Sequence, residues 1–520
     1  MKSKKISAGV FLLFFLILGF HLPRLIYQAN LADEKFAGTV PTIGDDSSYQ
    51  LNAINFLNGF GFADSLSLRI EEYHLDLTTE LGKYYKDTYE QKGRMPPHCS
   101  FYRAPGFPLL LSATYAIFGT ETIVARRLLA ALTWLTALFI LVIGAYLAGG
   151  IGTVAGALTA FYYLNYSSVI NFERILTEVP ASFWVAFFVL LFSAYLENKS
   201  ILFLILSSLC LSAIIFTRAN FLPAIPFLLF YLYLQKTRGR DLLVFGSIPI
   251  LLVGIWCSYA SLYLGRPTLM TTQGQVAFPE CNNIDVLEGI GPQRWNQGGW
   301  NPGWKLNADG TYTNTQRYAL REGENGWLKG LSFWIENPEK LHRLFYVKLR
   351  FGFWYNNGLS SDRFQPEGIY LIGIGFLLLA IGFRIPRPAS RLMELLSSRN
   401  SMFMQLGLLV ALMIFWNKHG FWPVLLVWSL IFFIAFLRPY GDYYRTAFPA
   451  PTWFLAFIAC HAITTVMFLG VRYNEPLNPP LMLWAVLGFI ILLYEIVKAK
   501  QIRGYLFVLL SMGILLNRML

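Results

Sequence analysis

Four short stretches hold most of the residues that could do chemistry. The first is Gly44-Asp45-Asp46-Ser47-Ser48-Tyr49. One Asp is enough to cap a helix N-terminus and complement its dipole. The second acid leaves room for a general base or a metal ligand. The second stretch is Cys99-Ser100-Phe101-Tyr102-Arg103-Ala104-Pro105-Gly106. A guanidinium there can anchor the chain at a membrane interface by snorkelling. It can equally grip a phosphate through paired hydrogen bonds. The third is Phe172-Glu173-Arg174-Ile175-Leu176-Thr177-Glu178-Val179-Pro180. Glu178 opens an apolar run there, where helix N-terminal charge placement is the structural reading. The fourth is Thr217-Arg218-Ala219-Asn220, between two apolar runs. Arg218 there needs an anionic partner or must snorkel.

Other signals are weaker. Residues 293–301 carry Trp, Gly, Asn and Gln, a composition that suits a membrane interface and also a carbohydrate. The six histidines form no HExxH and no paired metal spacing, and no P-loop or dinucleotide-binding glycine motif is present. Cys210, Cys257 and Cys460 fall in apolar runs and read as small core residues. Cys99 and Cys281 fall in polar loops, as a disulfide or as two free thiols.

The elements that must position these residues are membrane helices. Of 520 residues, 14% are charged and 55% hydrophobic, whereas soluble chains average about 25% charged. That excludes a disordered chain and makes an ordinary soluble enzyme a poor fit. The net charge of +12 does not point to nucleic acid. Its basic residues sit in short runs between apolar stretches, such as Lys236, Arg238 and Arg240, as in cytoplasmic loops.

A span needs about 20 apolar residues. Runs at Ile6–Leu22, Ile123–Ala148, Val154–Ile170, Val179–Leu196, Ile201–Phe216, Phe221–Leu234 and Leu242–Leu264 read as spans. Six more follow Ile369, giving about 13 transmembrane helices. The first run reads as an uncleaved anchor with the N-terminus in the cytoplasm. Phe107–Phe118 is too short to span and reads as an interfacial or re-entrant helix. The chain is predicted to be an all-α polytopic membrane protein with two large outward loops containing interfacial helices. Residues 1–264 form a transmembrane module holding the first outward loop (about 25–105). Residues 265–362 form the second loop, and 363–520 the C-terminal helices. Within the first loop, Leu51, Ile54 and Leu57 recur at helical spacing with Asn52, Asn55 and Asn58 on another face. Such a helix can lie in the membrane interface.

Taken in order, these features resemble the membrane-embedded GT-C glycosyltransferases. The likeness is to the family 39/83 group, with its protein O-mannosyltransferases and lipid A aminoarabinose transferases. It rests on Asp45-Asp46 and Tyr49, on Tyr102-Arg103-Ala104-Pro105-Gly106 entering an apolar helix, and on Arg126 and Arg127 opening the next span. Glu178 at the following outward link and Thr217-Arg218 two spans later complete it. Tyr443-Tyr444-Arg445-Thr446-Ala447-Phe448-Pro449 is a loose match. The resemblance covers roughly the first 240 residues and implies a GT-C fold.

It also implies a reaction. A sugar passes from a polyprenyl-phosphate donor to an acceptor hydroxyl on the outer face, with inversion. Asp45 would be the general base, with Asp46 and Glu178 in the catalytic group to orient it, hold acceptor or metal, or bind sugar hydroxyls. Arg103 and Arg218 would meet the donor phosphate. Tyr49, Tyr102, Glu173 and Arg445 would touch substrate. A divalent metal on Asp45 and Glu178 is the one cofactor it admits. The partners would be the lipid-linked sugar, a glycan, lipid or protein acceptor, and membrane lipid, without nucleic acid. The location would be a bacterial inner membrane. The competing reading is a transporter or lipid flippase of the cell envelope.

Overall fold

The computed structural model describes residues 8–36, 45–59, 61–62, 101–166, 172–283, 304–306, 312–314, 325–354, 451–468, 475–480, 482–484 and 486–487, with Asp45 described by its backbone only. Helices dominate these residues. Four are long and apolar enough to cross a membrane, at Leu12–Lys35, Thr122–Gly150, Glu178–Asn198 and Gly239–Leu264. That is compatible with a membrane protein.

Helix α1 (Ala8–Phe36) overruns the sequence expectation, which ends the first span at Leu22 and starts a polar loop near Leu25. Its added turns are amphipathic: Leu25, Ala29 and Ala32 are buried in the core, and the polar side chains find partners across the bundle. Arg127 Nε donates to Asn30 Oδ1 at 3.1 Å, and Asp33 Oδ1 accepts from Thr122 Oγ1 at 2.7 Å. Pro23 lies inside the helix and gives no N–H to the ladder. About one turn earlier, Trp134 Nε1 donates to the Leu18 carbonyl at 2.8 Å.

Helix α2 (Asp45–Leu57) is the amphipathic segment of the first loop. Its amide face turns into the protein. Asn52, Asn55 and Gln50 are buried, and so are Leu51 and Ile54, while Phe56 and Leu57 are exposed. The amides can be buried because their hydrogen bonds are made: Asn52 Nδ2 donates to the Ser48 carbonyl at 2.8 Å, and Gln50 Oε1 accepts from Tyr115 Oη at 3.3 Å. Tyr115 belongs to α3 (Gly106–Phe118), which has 13 residues and is as short as the sequence predicts.

Helix α4 (Thr122–Tyr166) is two antiparallel arms joined at Ala148-Gly149, where Gly149 takes φ 61. Small residues let the arms touch backbone to backbone. A Cβ on Gly144 would meet the Gly156 Cα at 2.9 Å, and one on Gly152 would overlap the Gly144 carbonyl. Close approach through small residues is how membrane helices gain packing without a hydrophobic drive.

Helices α5 (Glu178–Asn198) and α6 (Ile201–Thr217) turn about Lys199. A 3-10 turn (Ala219–Phe221), α7 (Ala224–Leu234) and α8 (Gly239–Leu264) follow. The sequence counts Ile201–Phe216 and Phe221–Leu234 as full spans, whereas α6 and Ala219–Leu234 are only shorter apolar helices. With 17 residues, α6 covers about 25 Å against a core of about 30 Å. The later spans lie outside the described residues, apart from a 3-10 turn (Pro451–Phe454), α12 (Leu455–Phe468) and residues 475–487. These later pieces pack on α5, with ring centroids at 5.0 Å for Phe192–Trp453 and 5.3 Å for Phe188–Phe457.

The second loop contributes α9 (Gln273–Cys281), a hairpin of β1 (Trp304–Leu306) and β2 (Tyr312–Asn314), α10 (Gly326–Glu336) and α11 (Pro338–Trp354). Lys348 of α11 ties this region to the end of α12. It is wholly buried. Its ammonium donates to Asn282 Oδ1 at 2.7 Å and to the Val466 carbonyl at 2.8 Å. Asn282 also accepts from Trp334 Nε1 at 2.8 Å and donates to the Met467 carbonyl at 2.8 Å. A helix C-terminus favours a cation, but burial among neutral acceptors lowers the Lys348 pKa to about 7, with Cys281 opposing the shift. Between about pH 7 and 10 the unfolded chain therefore holds a proton that the folded chain has released. Stability should rise with pH across that window, by at most about 1.4 kcal/mol per unit, and flatten below pH 7. Thermal unfolding followed by tryptophan fluorescence should show this slope, and Lys348→Met should remove it.

Candidate functional site

Helices α1 and α6 end, and α2, α3, α4 and α5 begin, at the same end of the bundle. Each of the four chemistry-bearing stretches lies on one of these termini. Ionised groups are tolerated there because the ends can reach water or one another.

The link from Phe172 to Glu178 is the hub. Its first residue, Phe172, is buried and takes φ 46, in the left-handed region. Its carbonyl accepts from Arg126 Nη1, and Arg126 Nε also holds Asp33 at 3.1 Å. Glu173 then pairs with Lys35 at 2.7 Å. Arg174 pairs with Asp46 at 3.4 Å, and the Ile175 N–H donates to Asp46 Oδ2 at 3.3 Å. Thr177 Oγ1 accepts from Arg218 Nε at 3.0 Å, and Glu178 Oε1 accepts from Arg218 Nη2 at 2.9 Å. Both members of that last pair are buried, at 7% and 6% side-chain exposure. The link is thus joined in turn to α4, α1, α2 and the end of α6.

Arg103 completes the constellation. It is buried, its Nε donates to Ser48 Oγ at 3.3 Å, and its guanidinium lies 4.7 Å from the Tyr102 ring centroid and 5.2 Å from that of Tyr49. Two aromatic faces hold the cation electrostatically. Tyr49 packs edge-on against Phe107 at 5.3 Å. Gly106 brings this segment against the end of α6: a Cβ there would stand 2.6 Å from the Phe216 carbonyl carbon and 2.7 Å from the Thr217 nitrogen. Only a residue without a side chain permits that approach.

The site residues read from the sequence therefore assemble in part. Asp46, Tyr49, Tyr102, Arg103, Glu173, Glu178 and Arg218 converge. Asp45 contributes the first residue of α2, but its side chain, Arg445 and Cys99 lie outside the described residues. Cys281 is buried. The simple readings of several residues need correction. Asp46 directs its carboxylate to the Arg174 guanidinium and the Ile175 N–H. Arg103 and Arg218 do not snorkel: each is buried on partners within the protein. Glu173 is engaged by Lys35. The Asn220 side-chain nitrogen, beside Arg218 in sequence, is buried and meets no hydrogen-bond partner among the described residues.

The metal reading rests on Asp45 and Glu178, and the Asp45 side chain lies outside the described residues. Glu178 already faces a guanidinium, which neutralises it as a divalent ion would. Among the described residues no cluster of three His, Cys, Asp or Glu side chains stands together.

Sequence reading missed Asp33, Lys35 and Arg174 as partners of the motif residues. Their signal is local and faint: charges in the last turns of α1 and in the middle of a polar link. It also missed Glu475, whose carbonyl accepts from Ser182 Oγ at 3.4 Å one turn below Glu178. Nothing in a local window links residue 475 to residue 182.

No protein-family model and no curated protein matches this chain.

Proposed function

We propose that this protein is a membrane glycosyltransferase of the GT-C kind, with about 13 spans, working at the outer face of a bacterial inner membrane. It moves a sugar from a polyprenyl-phosphate donor to a hydroxyl of a glycan, lipid or protein. The observation that carries this reading is the convergence of Asp46, Arg103, Glu178 and Arg218 at one end of the apolar helices. Acid and base chemistry beside a bilayer suits a substrate with a polar head and a lipid tail.

In this reaction the acceptor oxygen attacks the anomeric carbon from the face opposite the phosphate. The new carbon–oxygen bond forms as the bond to the phosphate oxygen breaks, and polyprenyl phosphate leaves. Asp45 takes the hydroxyl proton. Asp46, on the Ile175 N–H and Arg174, keeps the first turn of α2 in register with the link. Arg103, on its two tyrosine faces, and Arg218, beside Glu178, stabilise the charge gathering on the leaving phosphate.

The transporter reading expects ionisable groups near the bilayer midplane. In α4, α5 and α8 the acidic and basic residues lie within two turns of an end, and α6 carries none, which favours the enzyme.

The test is purified protein incubated with polyprenyl-phosphate sugars and assayed for released lipid phosphate. Asp45→Asn should lower turnover at least about 100-fold with membrane insertion intact. Unchanged turnover in that variant would remove Asp45 as the base. No release by the native protein from any sugar donor would end the transferase reading.

A further inference from the structure

Beneath the ion pair of Glu178 and Arg218 lies a second polar group of residues, which the mechanism above does not use. Tyr163, on the second arm of α4, is 2% exposed, and its hydroxyl has no hydrogen-bond partner among the described residues. Its polar neighbours are Thr136, Ser182 and Glu475. Thr136 Oγ1 donates to the Leu132 carbonyl at 2.7 Å, and Ser182 Oγ to the Glu178 carbonyl at 2.8 Å and the Glu475 carbonyl at 3.4 Å. Across from them, Asn478 is 7% exposed. Its Nδ2 donates to Glu475 Oε2 at 2.8 Å, while its Oδ1 has no partner among the described residues.

A buried hydroxyl donor and a buried amide acceptor, both unmatched and both next to Glu475, are costly to keep in an apolar bundle. Their cost is relieved by a ligand group that can accept from one and donate to the other. A hydroxyl does both, and neighbouring hydroxyls on one small ring can meet the phenol, the amide and the carboxylate together. Ser182, whose hydroxyl reaches the Glu475 carbonyl, lies four residues, about one turn or 5.4 Å, below Glu178.

We propose that Tyr163, Glu475 and Asn478 form a subsite for the sugar head of a lipid-phosphate donor, next to the phosphate-binding guanidinium. This rests on the transferase reading and adds to it the part of the donor that the C-terminal residues recognise. The three residues bind the sugar. They hold no reacting atom.

The test compares two lipids on the full chain in nanodiscs: polyprenyl phosphate alone, and the same lipid carrying a sugar. Tyr163→Phe and Glu475→Gln should each weaken binding of the sugar-bearing lipid about tenfold, the effect of losing one buried hydrogen bond. They should leave the bare lipid phosphate unchanged. Equal losses for both lipids, or none for either, would overturn the subsite and mean that a water or simple packing fills it. If the native protein binds neither lipid, the transferase reading fails. Soluble methyl glycosides then decide the subsite: a thermal shift abolished by Glu475→Gln keeps it, and no shift rejects it.

Discussion

Arg218→Met is expected to destabilise the folded protein by about 3–5 kcal/mol, the range for removing one member of a buried ion pair. Arg218 and Glu178 are almost fully enclosed and 2.9 Å apart. Without the guanidinium, the buried Glu178 carboxyl loses its charged partner, and Thr177 loses its donor. Thermal unfolding in detergent measures the loss. Replacing both residues, as Glu178→Leu with Arg218→Met, should recover most of it, because an apolar pair of similar volume spares both desolvation costs. The double variant separates structure from chemistry. If the guanidinium serves the donor phosphate, the double variant folds and remains inactive. If the pair only braces the bundle, activity returns with stability.

The second large effect is expected at Gly152. A Cβ there overlaps the Gly144 carbonyl and comes within 2.9 Å of the Ala148 Cβ. Backbone cannot swing aside as the tip of a long side chain can, so the arms of α4 must separate. Overpacking of this kind costs about 1–3 kcal/mol or more, and Gly152→Val should sit at the upper end or fail to accumulate in the membrane. Gly150→Ala is the matched control, since a Cβ at Gly150 meets nothing within 4 Å. Comparable yields and unfolding temperatures for the two variants would contradict the close-packed hairpin. Gly106→Ala tests the same physics at the site: it pushes α3 off the Phe216-Thr217 backbone and should carry Arg103 away from the end of α6.

How much could be read in advance follows from the range of each signal. Hydropathy is a property of a local window, so the apolar runs behind α4, α5 and α8 were visible, as was the short α3. The end of α1 was not. The turns up to Phe36 mix polar and apolar residues, and they are held by burial of Leu25, Ala29 and Ala32 and by contact of Asn30 and Asp33 with the start of α4. The Asn face of α2 misleads for the same reason. Amides suggest water, yet here their hydrogen bonds are satisfied inside the protein. Lys348 sits in an amphipathic helix and reads as a surface lysine until the carbonyls ending α12 are set beside it.

By itself the sequence determined that this is a mostly helical chain with membrane-length apolar segments, and that its acids and arginines gather in a few polar links. Those are sums over neighbouring residues. The tertiary structure alone decided which guanidinium meets which carboxylate. Asp46 reaches the Ile175 backbone from 129 positions away, and Arg218 reaches Glu178 from 40. Such pairings depend on where each helix stops and how near glycine lets its neighbour come, and ångström-scale shifts in either would exchange one partner for another.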